Sequence, residues 1–283
     1  MPDADSFIQS VTVDASRKGL SPGEVSNHIR DRGLCIVRNC LPPSGLSALL
    51  AEFQKWCVAA RNDNADGQHN SPLQNGLTSA NIPDFSEHLV ALVGDSAFPD
   101  IAREYLGCAR ENLVVPENHI LLRVRDDGTN ARFLDANISH GFHQDYALIP
   151  QSFPLNMWIP LSRIDKHCIG LSFVLPFTGA IYDNPFDVHK TLAETKGYII
   201  TPELNVGDVI LFNHKTLHGL FTARQPVNPR YSVEFRIGSD TMLAAGYTDT
   251  LYRFRDVQRH TAAPALWRFW QALHPQGRNR ATR

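Results

Sequence analysis

The sequence has few cysteines and no cysteine pattern. Cys35, Cys40, Cys57, Cys108 and Cys168 are odd in number and never form C-x-x-C. Such a set argues against a disulfide-stapled extracellular fold and for a reducing compartment. A long apolar run is also missing, with nothing near the roughly 20 residues that a membrane-spanning helix needs. The opening Met1-Pro2-Asp3-Ala4-Asp5 is acidic and leads into no apolar stretch, which reads against a secretory signal. Charge of one sign is lacking too: the net charge is −2, so there is no basic footprint for nucleic acid. The short basic end, Gly277 to Arg283, reads as a solvated tail. These absences lead to the expectation of a cytoplasmic protein, monomer or homodimer, that engages neither nucleic acid nor membrane.

What is present is an ordinary globular composition, 43% hydrophobic and 20% charged over 283 residues, enough for a sizeable core. No repeat, low-complexity run or linker divides it, so a single domain over 1–283 is expected. Residues 1–112 read as mostly helical. Ser21-Pro22-Gly23-Glu24 has the spacing of a capping box with proline at the first helical position, and Gly33 supplies a stop. Leu34 to Val37 is a short apolar strand. Leu46, Leu49, Leu50, Phe53 and Cys57 follow at helical spacing. Residues 61–83 are polar and turn-rich, long for an internal loop, and are expected to form a lid. Helix resumes over 84–107.

From 113 to 240 the period changes. Leu113–Val115, Ile120–Arg125, Met157–Ile159, Leu171–Leu175, Val209–Phe212 and Tyr231–Ile237 are short β-rich runs separated by glycine, proline and aspartate. Many short strands after a block of helices suggest an antiparallel double-sheet barrel with helices outside. Residues 183–197 read as an insertion carrying a short helix. Residues 241–283, with Trp267, Phe269 and Trp270, read as a closing helical segment.

Within the strand region, His143-Gln144-Asp145 has the form H-x-D. With 12 histidines and 20 aspartates in 283 residues, about one such motif arises by chance, so alone it carries little. Placed on a strand, it gains a geometry. Residues i and i+2 share a face, so His143 and Asp145 can grip one ion while Gln144 faces away. His218, just beyond the run that opens with Gly207-Asp208, can supply a third ligand. Two imidazoles and a carboxylate with open positions suit non-haem Fe(II), whereas structural zinc favours closed Cys and His sets. His140 falls on the other face. His214 lies four residues before His218, too far along a strand for both to bind one ion. His119, His167 and His189 read as core or surface histidines.

Arg230 and Ser232 share a strand face by the same alternation. A planar guanidinium grips a carboxylate bidentately and the hydroxyl adds a bond, which is what a metal-chelating keto acid needs at its far end. Arg236 lies on that face about 20 Å further on by strand rise. It is too remote to join the clamp and reads either as structural, paired with Glu234 or Asp240, or as serving elsewhere. Arg123 and Arg125 fit either an anionic group or a solvated strand edge.

The ordered set of His143-Gln144-Asp145, Trp158-Ile159-Pro160-Leu161, Gly170-Leu171 leading to Pro176-Phe177-Thr178-Gly179, Gly207-Asp208 to His218-Gly219, and Arg230-Tyr231-Ser232 resembles the phytanoyl-CoA dioxygenase (PhyH) family of Fe(II)/2-oxoglutarate-dependent oxygenases. The resemblance spans about residues 113–240. It implies a mainly β fold with flanking α-helices around a double-stranded β-helix (jelly-roll, cupin-like) core. It implies Fe(II) on His143, Asp145 and His218, 2-oxoglutarate held by Arg230, and Trp158 near that co-substrate, although by its residues alone Trp158 reads as core. The family's Pro-Gly-Ser-His stands here as Pro176-Phe177-Thr178-Gly179, a departure on the substrate side.

The implied activity is oxidation of a C–H bond of a small molecule by O2, hydroxylation above all, with release of succinate and CO2. An amino acid or a specialised metabolite is the expected substrate, with Tyr146, His140 and the 61–83 loop as its contacts. The carboxylate of Asp145 disfavours halogenation, which in related enzymes uses a small residue there. The competing reading is a non-oxidative metal-binding barrel, a cupin-type isomerase or sensor module. It has no need of a keto-acid clamp, so Arg230 separates the two.

Overall fold

A computed structural model describes residues 4–16, 20–63, 77–78, 85–125, 142–147, 153–182, 193, 196–221, 228–243 and 251–254. Among these residues, five helices lie in the N-terminal part: α1 (Ala4–Ser10), α2 (Pro22–Arg32), α3 (Pro43–Asp63), α4 (Phe85–Gly94) and α5 (Phe98–Leu106). The caps of α2 follow the sequence. The Ser21 side chain accepts from the Glu24 N–H at 3.3 Å, and Gly33 ends the helix at φ +82° with its N–H on the Ile29 carbonyl. The helix expected over 84–107 is two helices. The Val93 carbonyl accepts from the Ser96 hydroxyl, whose oxygen in turn takes the Phe98 N–H, and Pro99 then opens α5.

The strands are β1 (Thr12–Asp14), β2 (Leu34–Arg38), β3 (Leu77–Thr78), β4 (Leu113–Pro116), β5 (Ile120–Arg125), β6 (Leu155–Pro160), β7 (Gly170–Leu175), β8 (Tyr198–Ile200), β9 (Val209–Asn213), β10 (His218–Phe221), β11 (Arg230–Ser239) and β12 (Leu251–Arg253). The larger sheet runs β1-β2-β9-β6-β11-β4-β12, with β5 also beside β11 and β3 on β5. The smaller runs β10-β7-β8. All of these pairings are antiparallel except β1 with β2. The expected jelly-roll core with outer helices is therefore present, and among the described residues the two sheets do not close into a continuous barrel.

The N-terminal part is mostly helical, and the strand expected at Leu34–Val37 is β2, which the short β1 extends at the edge of the larger sheet. Residues 251–253, expected within a helical segment, form β12 on β4. Most of 61–83 and 183–197, and all of 255–283 with Trp267, Phe269 and Trp270, lie outside the described residues.

Strand alternation sorts the side chains. On β11, Val233, Phe235 and Ile237 point to the helices, where Phe235 meets Phe98 edge-on at 6.3 Å between ring centroids. Each such buried side chain contributes about 1.5–3 kcal/mol. The opposite face of the larger sheet carries Leu34, Ile36, Trp158, Ile210 and Phe212, which pack with Leu171, Phe173 and Leu175 of the smaller sheet. That is the space between the sheets. Glu234 lies directly across from Trp158, so Arg230, Ser232, Glu234 and Arg236 line the same space. One side of the interior is thus apolar and the other strongly polar.

Candidate metal and co-substrate site

His143 and Asp145 do not sit on a continuous strand. His143 makes an isolated antiparallel bridge with His218, with reciprocal N–H to carbonyl bonds of 2.8 and 3.0 Å, and Asp145 opens a 3-10 turn over Asp145–Ala147. The bridge adds one residue to the edge of the smaller sheet and sets the two imidazoles side by side, ring centroids 4.4 Å apart. The turn then swings the carboxylate across. Asp145 Oδ1 is 3.5 Å from His143 Nε2, and Oδ2 is 4.0 Å from His218 Nε2. One donor atom from each residue lies within 4.8 Å of the others. Among the described residues no other group of His, Cys, Asp and Glu converges in this way.

Each donor is held from behind. His218 Nδ1 is 2.9 Å from the Thr216 carbonyl. A carbonyl only accepts, so Nδ1 carries the proton and the Nε2 lone pair is left for a metal. Thr216 itself donates through Oγ1 to the Gly33 carbonyl at 2.7 Å, tying this turn to the end of α2. Asp145 is gripped on both oxygens, by Arg236 Nη2 on Oδ1 at 3.0 Å and by Asn156 Nδ2 on Oδ2 at 2.8 Å. Burial pushes its carboxyl up, but Arg236, then His218 and His143, outweigh this and hold it well below the usual carboxylate range. For Arg236 burial opposes the charge, and Asp145 with Glu234 more than restores it. Burial, followed by the charge of His143, pulls His218 down, which keeps its imidazole neutral and able to ligate. Asp145 and His218 are sealed at 1% and 2% side-chain exposure while His143 keeps 17%, so the site opens past His143.

Gln144 faces away from the triad, as alternation predicts. Its Nε2 donates to the carbonyls of Ala180 at 2.7 Å and Lys215 at 2.6 Å, and its Oε1 accepts from the Tyr182 N–H at 2.9 Å. It thereby joins the H-x-D segment to the loop after β7 and to the turn before His218. His214 stays out of the triad because the chain turns after β9. Its ring packs against Tyr146 at 5.2 Å, under the Lys215 ammonium 5.3 Å from that tyrosine ring. His140 lies outside the described residues.

Arg230 and Ser232 occupy one face of β11, 2% and 0% exposed. Arg230 Nη1 donates to the Ile169 carbonyl at 3.1 Å, and its guanidinium carbon lies 5.7 Å from the centre of the Trp158 ring. Trp158 is a core residue, as the sequence alone suggests, and lies beside the arginine. The Ser232 hydroxyl is buried and, among the described residues, has no hydrogen-bond partner. A buried polar atom left unsatisfied costs about 1–3 kcal/mol, and a carboxylate seated on Arg230 would satisfy it. The site thus fits a dicarboxylate co-substrate on its own chemistry, and the N,N,O donor set fits Fe(II).

One residue of the site, Asn156, and one contact, Arg236 on Asp145, have no signal in the sequence. Arg236 was assigned a carboxylate partner, and Glu234 is one at 2.9 Å. Its second partner, Asp145, is 91 positions away, and Asp240 pairs instead with Arg253.

The solved structures that resemble this chain share its fold. EctD from S. alaskensis with 2-oxoglutarate and 5-hydroxyectoine has a TM-score of 0.56 at 16% identity, covering 80% of this chain and 79% of that one. The non-heme α-ketoglutarate-dependent carbocyclase SnoK from nogalamycin biosynthesis has 0.56 at 14%, covering 78% and 85%. The epimerase SnoN from the same biosynthesis has 0.52 at 14%, covering 83% and 82%. No curated protein sequence matches. The family model for phytanoyl-CoA dioxygenase (PhyH) matches residues 29–224, a range that takes in the whole triad. The chain belongs to the phytanoyl-CoA dioxygenase (PhyH) family, whose members are oxygenases that work with Fe(II) and 2-oxoglutarate.

Proposed function

We propose that this chain hydroxylates a C–H bond of a small-molecule substrate, with His143, Asp145 and His218 as the ligands of Fe(II) and Arg230 as the anchor of 2-oxoglutarate. The observation that carries the reading is the convergence of the three donors within 4.8 Å, with a buried arginine and an orphaned serine hydroxyl on the neighbouring strand. The balance is R–H + O2 + 2-oxoglutarate → R–OH + succinate + CO2. Bound Fe(II) would activate O2, with 2-oxoglutarate giving two of the four electrons that O2 takes up and the substrate C–H bond the other two.

The protein's part is to hold and exclude. Asp145, fixed on both oxygens, and His218, fixed by Thr216, present lone pairs at set positions, so little reorganisation is needed on metal binding. Arg230 and Ser232 take the distal carboxylate of the co-substrate and so fix which way its keto acid end points. Phe173 and Phe212 pack behind His218, with ring centroids 6.4 and 4.7 Å away, and keep water from that side. Substrate enters on the side of His143. The relatives SnoK and SnoN are a carbocyclase and an epimerase, so product analysis must accompany turnover.

The experiment is Fe(II)- and O2-dependent succinate formation by the purified protein, alone and with candidate small molecules, beside Asp145→Ala. Substrate-stimulated succinate from the wild type, lost in Asp145→Ala, supports the reading. Equal succinate from both overturns it. A product isomeric with the substrate, with no succinate, favours the non-oxidative metal barrel.

A further inference from the structure

Strand β5 bears on the substrate's chemistry. It pairs with β11 so that Arg123 lies directly across from Ser232, and Arg125 across from Arg230. Residues directly opposite in an antiparallel pair share a face, so Arg123 stands on the inner face beside the clamp. Burial along β5 runs against what a filled interior would give. Helix-facing Leu122 and Val124 are 1% and 8% exposed, whereas inward-facing Leu121 and Arg123 are only partly buried. The inner side of β5 therefore borders open space. Arg230 is assigned to the co-substrate and Arg236 is bonded to Asp145 and Glu234, so among the inner-face arginines with described side chains Arg123 is the one open to a substrate.

Its surroundings place it at the site and not on a solvated edge. Burial lowers its pKa most, Glu234 and Asp145 act to raise it, and Arg236 acts to lower it, so the groups around the triad are its electrostatic neighbours. The charges on this face point the same way. Arg123, Arg230 and Arg236 stand against Glu234 and Asp145. Fe(II) and the 2-oxoglutarate dianion add two charges of each sign, so these five side chains with the two ligands carry one net positive charge, and Arg125, across from Arg230, brings no negative charge to offset it. Such an excess favours an anion. A guanidinium fork matches a carboxylate in shape and charge.

We infer that the substrate is a small carboxylic acid, bound as its anion, and that Arg123 grips the carboxylate and thereby sets which C–H bond lies beside the metal. The inference rests on the metal and co-substrate reading above. Arg123 becomes the specificity-determining residue of the site: its grip is made in the ground state and kept through the reaction, so its loss raises KM and scrambles position more than it slows chemistry.

The test uses the full chain, loaded without oxygen with Fe(II) and 2-oxoglutarate, and follows the visible charge-transfer band. The probes are a panel of amino, hydroxy and aromatic carboxylic acids, each beside its primary amide. The expected result is that acids, and not their amides, perturb the band. Arg123→Gln should form the same band at the same 2-oxoglutarate concentration, yet need at least about 10-fold more acid for the perturbation, consistent with loss of one charge-assisted pair. Arg123→Lys, which keeps the charge, should recover part of the response and guards against a folding defect. Amides acting as well as acids, a response unchanged in Arg123→Gln, or a band that forms but answers to no acid would each overturn the inference. A band that needs more 2-oxoglutarate in Arg123→Gln would assign Arg123 to the co-substrate clamp and also overturn it. A wild type that forms no band at all sinks the metal reading instead, so the two failures are told apart.

Discussion

Arg236→Leu separates two roles that one side chain performs. Arg236 is 5% exposed and places Nη2 3.0 Å from Asp145 Oδ1 and 2.9 Å from Glu234 Oε1. Removing it leaves Glu234, 8% exposed, as a buried carboxylate without its cation. Breaking a buried pair from one side costs about 3–5 kcal/mol. For a chain of this size that lowers Tm by about 6–15 °C. The double variant Arg236→Leu/Glu234→Leu removes the stranded charge as well and should recover a large part of that loss. Metal affinity should behave differently. Asp145 loses the same hydrogen bond in both variants, so each should bind Fe(II) about 10–100-fold more weakly, the usual cost of losing a partner behind a ligand. Thermal melts of the metal-free proteins and anaerobic calorimetric titrations with Fe(II) measure the two effects separately. Metal affinity restored along with stability in the double variant, or never lost in the single one, would refute the role given to Arg236.

Three further outcomes follow from the same contacts. Arg230→Gln should weaken 2-oxoglutarate binding by about 10–100-fold, the worth of a charge-assisted pair, with Fe(II) affinity unchanged; equilibrium titrations of each ligand check this. Gly33→Ala should destabilise by about 1–3 kcal/mol, because the position needs φ +82° and a Cβ there would meet Phe177 Cγ at 2.6 Å; chemical denaturation measures it. His214 is pushed down to about 4, by burial first and by Lys215 second. Its unfolded form takes up a proton near the ordinary histidine value while the folded form resists, so its contribution is whole above about pH 6.5. That contribution is lost as pH falls toward 4, and the metal-free His214→Gln protein should show a shallower drop in stability across the window.

The core strands and the caps of α2 were legible because they depend on local alternation and on single positions, such as Ser21 and Gly33. The triad was legible as three residue types in order, with its face correct and its backbone wrong. A strand over 143–145 was expected, but one bridge followed by a 3-10 turn brings the carboxylate across. Periodicity could not reveal that, because the bridge is made by His218, 75 positions away. For the same reason Asn156 left no trace: it stands on β6 across from Arg236 of β11, and its partner Asp145 comes from a turn outside both strands. The short strands β1, β3, β8 and β12 escaped because two or three residues carry too little pattern, and it is their neighbours in the sheet that extend them. Arg123 was ambiguous in sequence because a strand residue's side is decided by its partner, and Ser232 supplies that answer.

The central claim is that two imidazoles, one carboxylate and a recessed guanidinium form a single binding unit. Anaerobic titration of the protein with Fe(II) and then 2-oxoglutarate tests it most directly. A visible charge-transfer band that saturates at one equivalent of each, absent in His143→Ala and needing far more 2-oxoglutarate in Arg230→Gln, is the predicted result. A colourless wild-type sample, or a band indifferent to both substitutions, would contradict it.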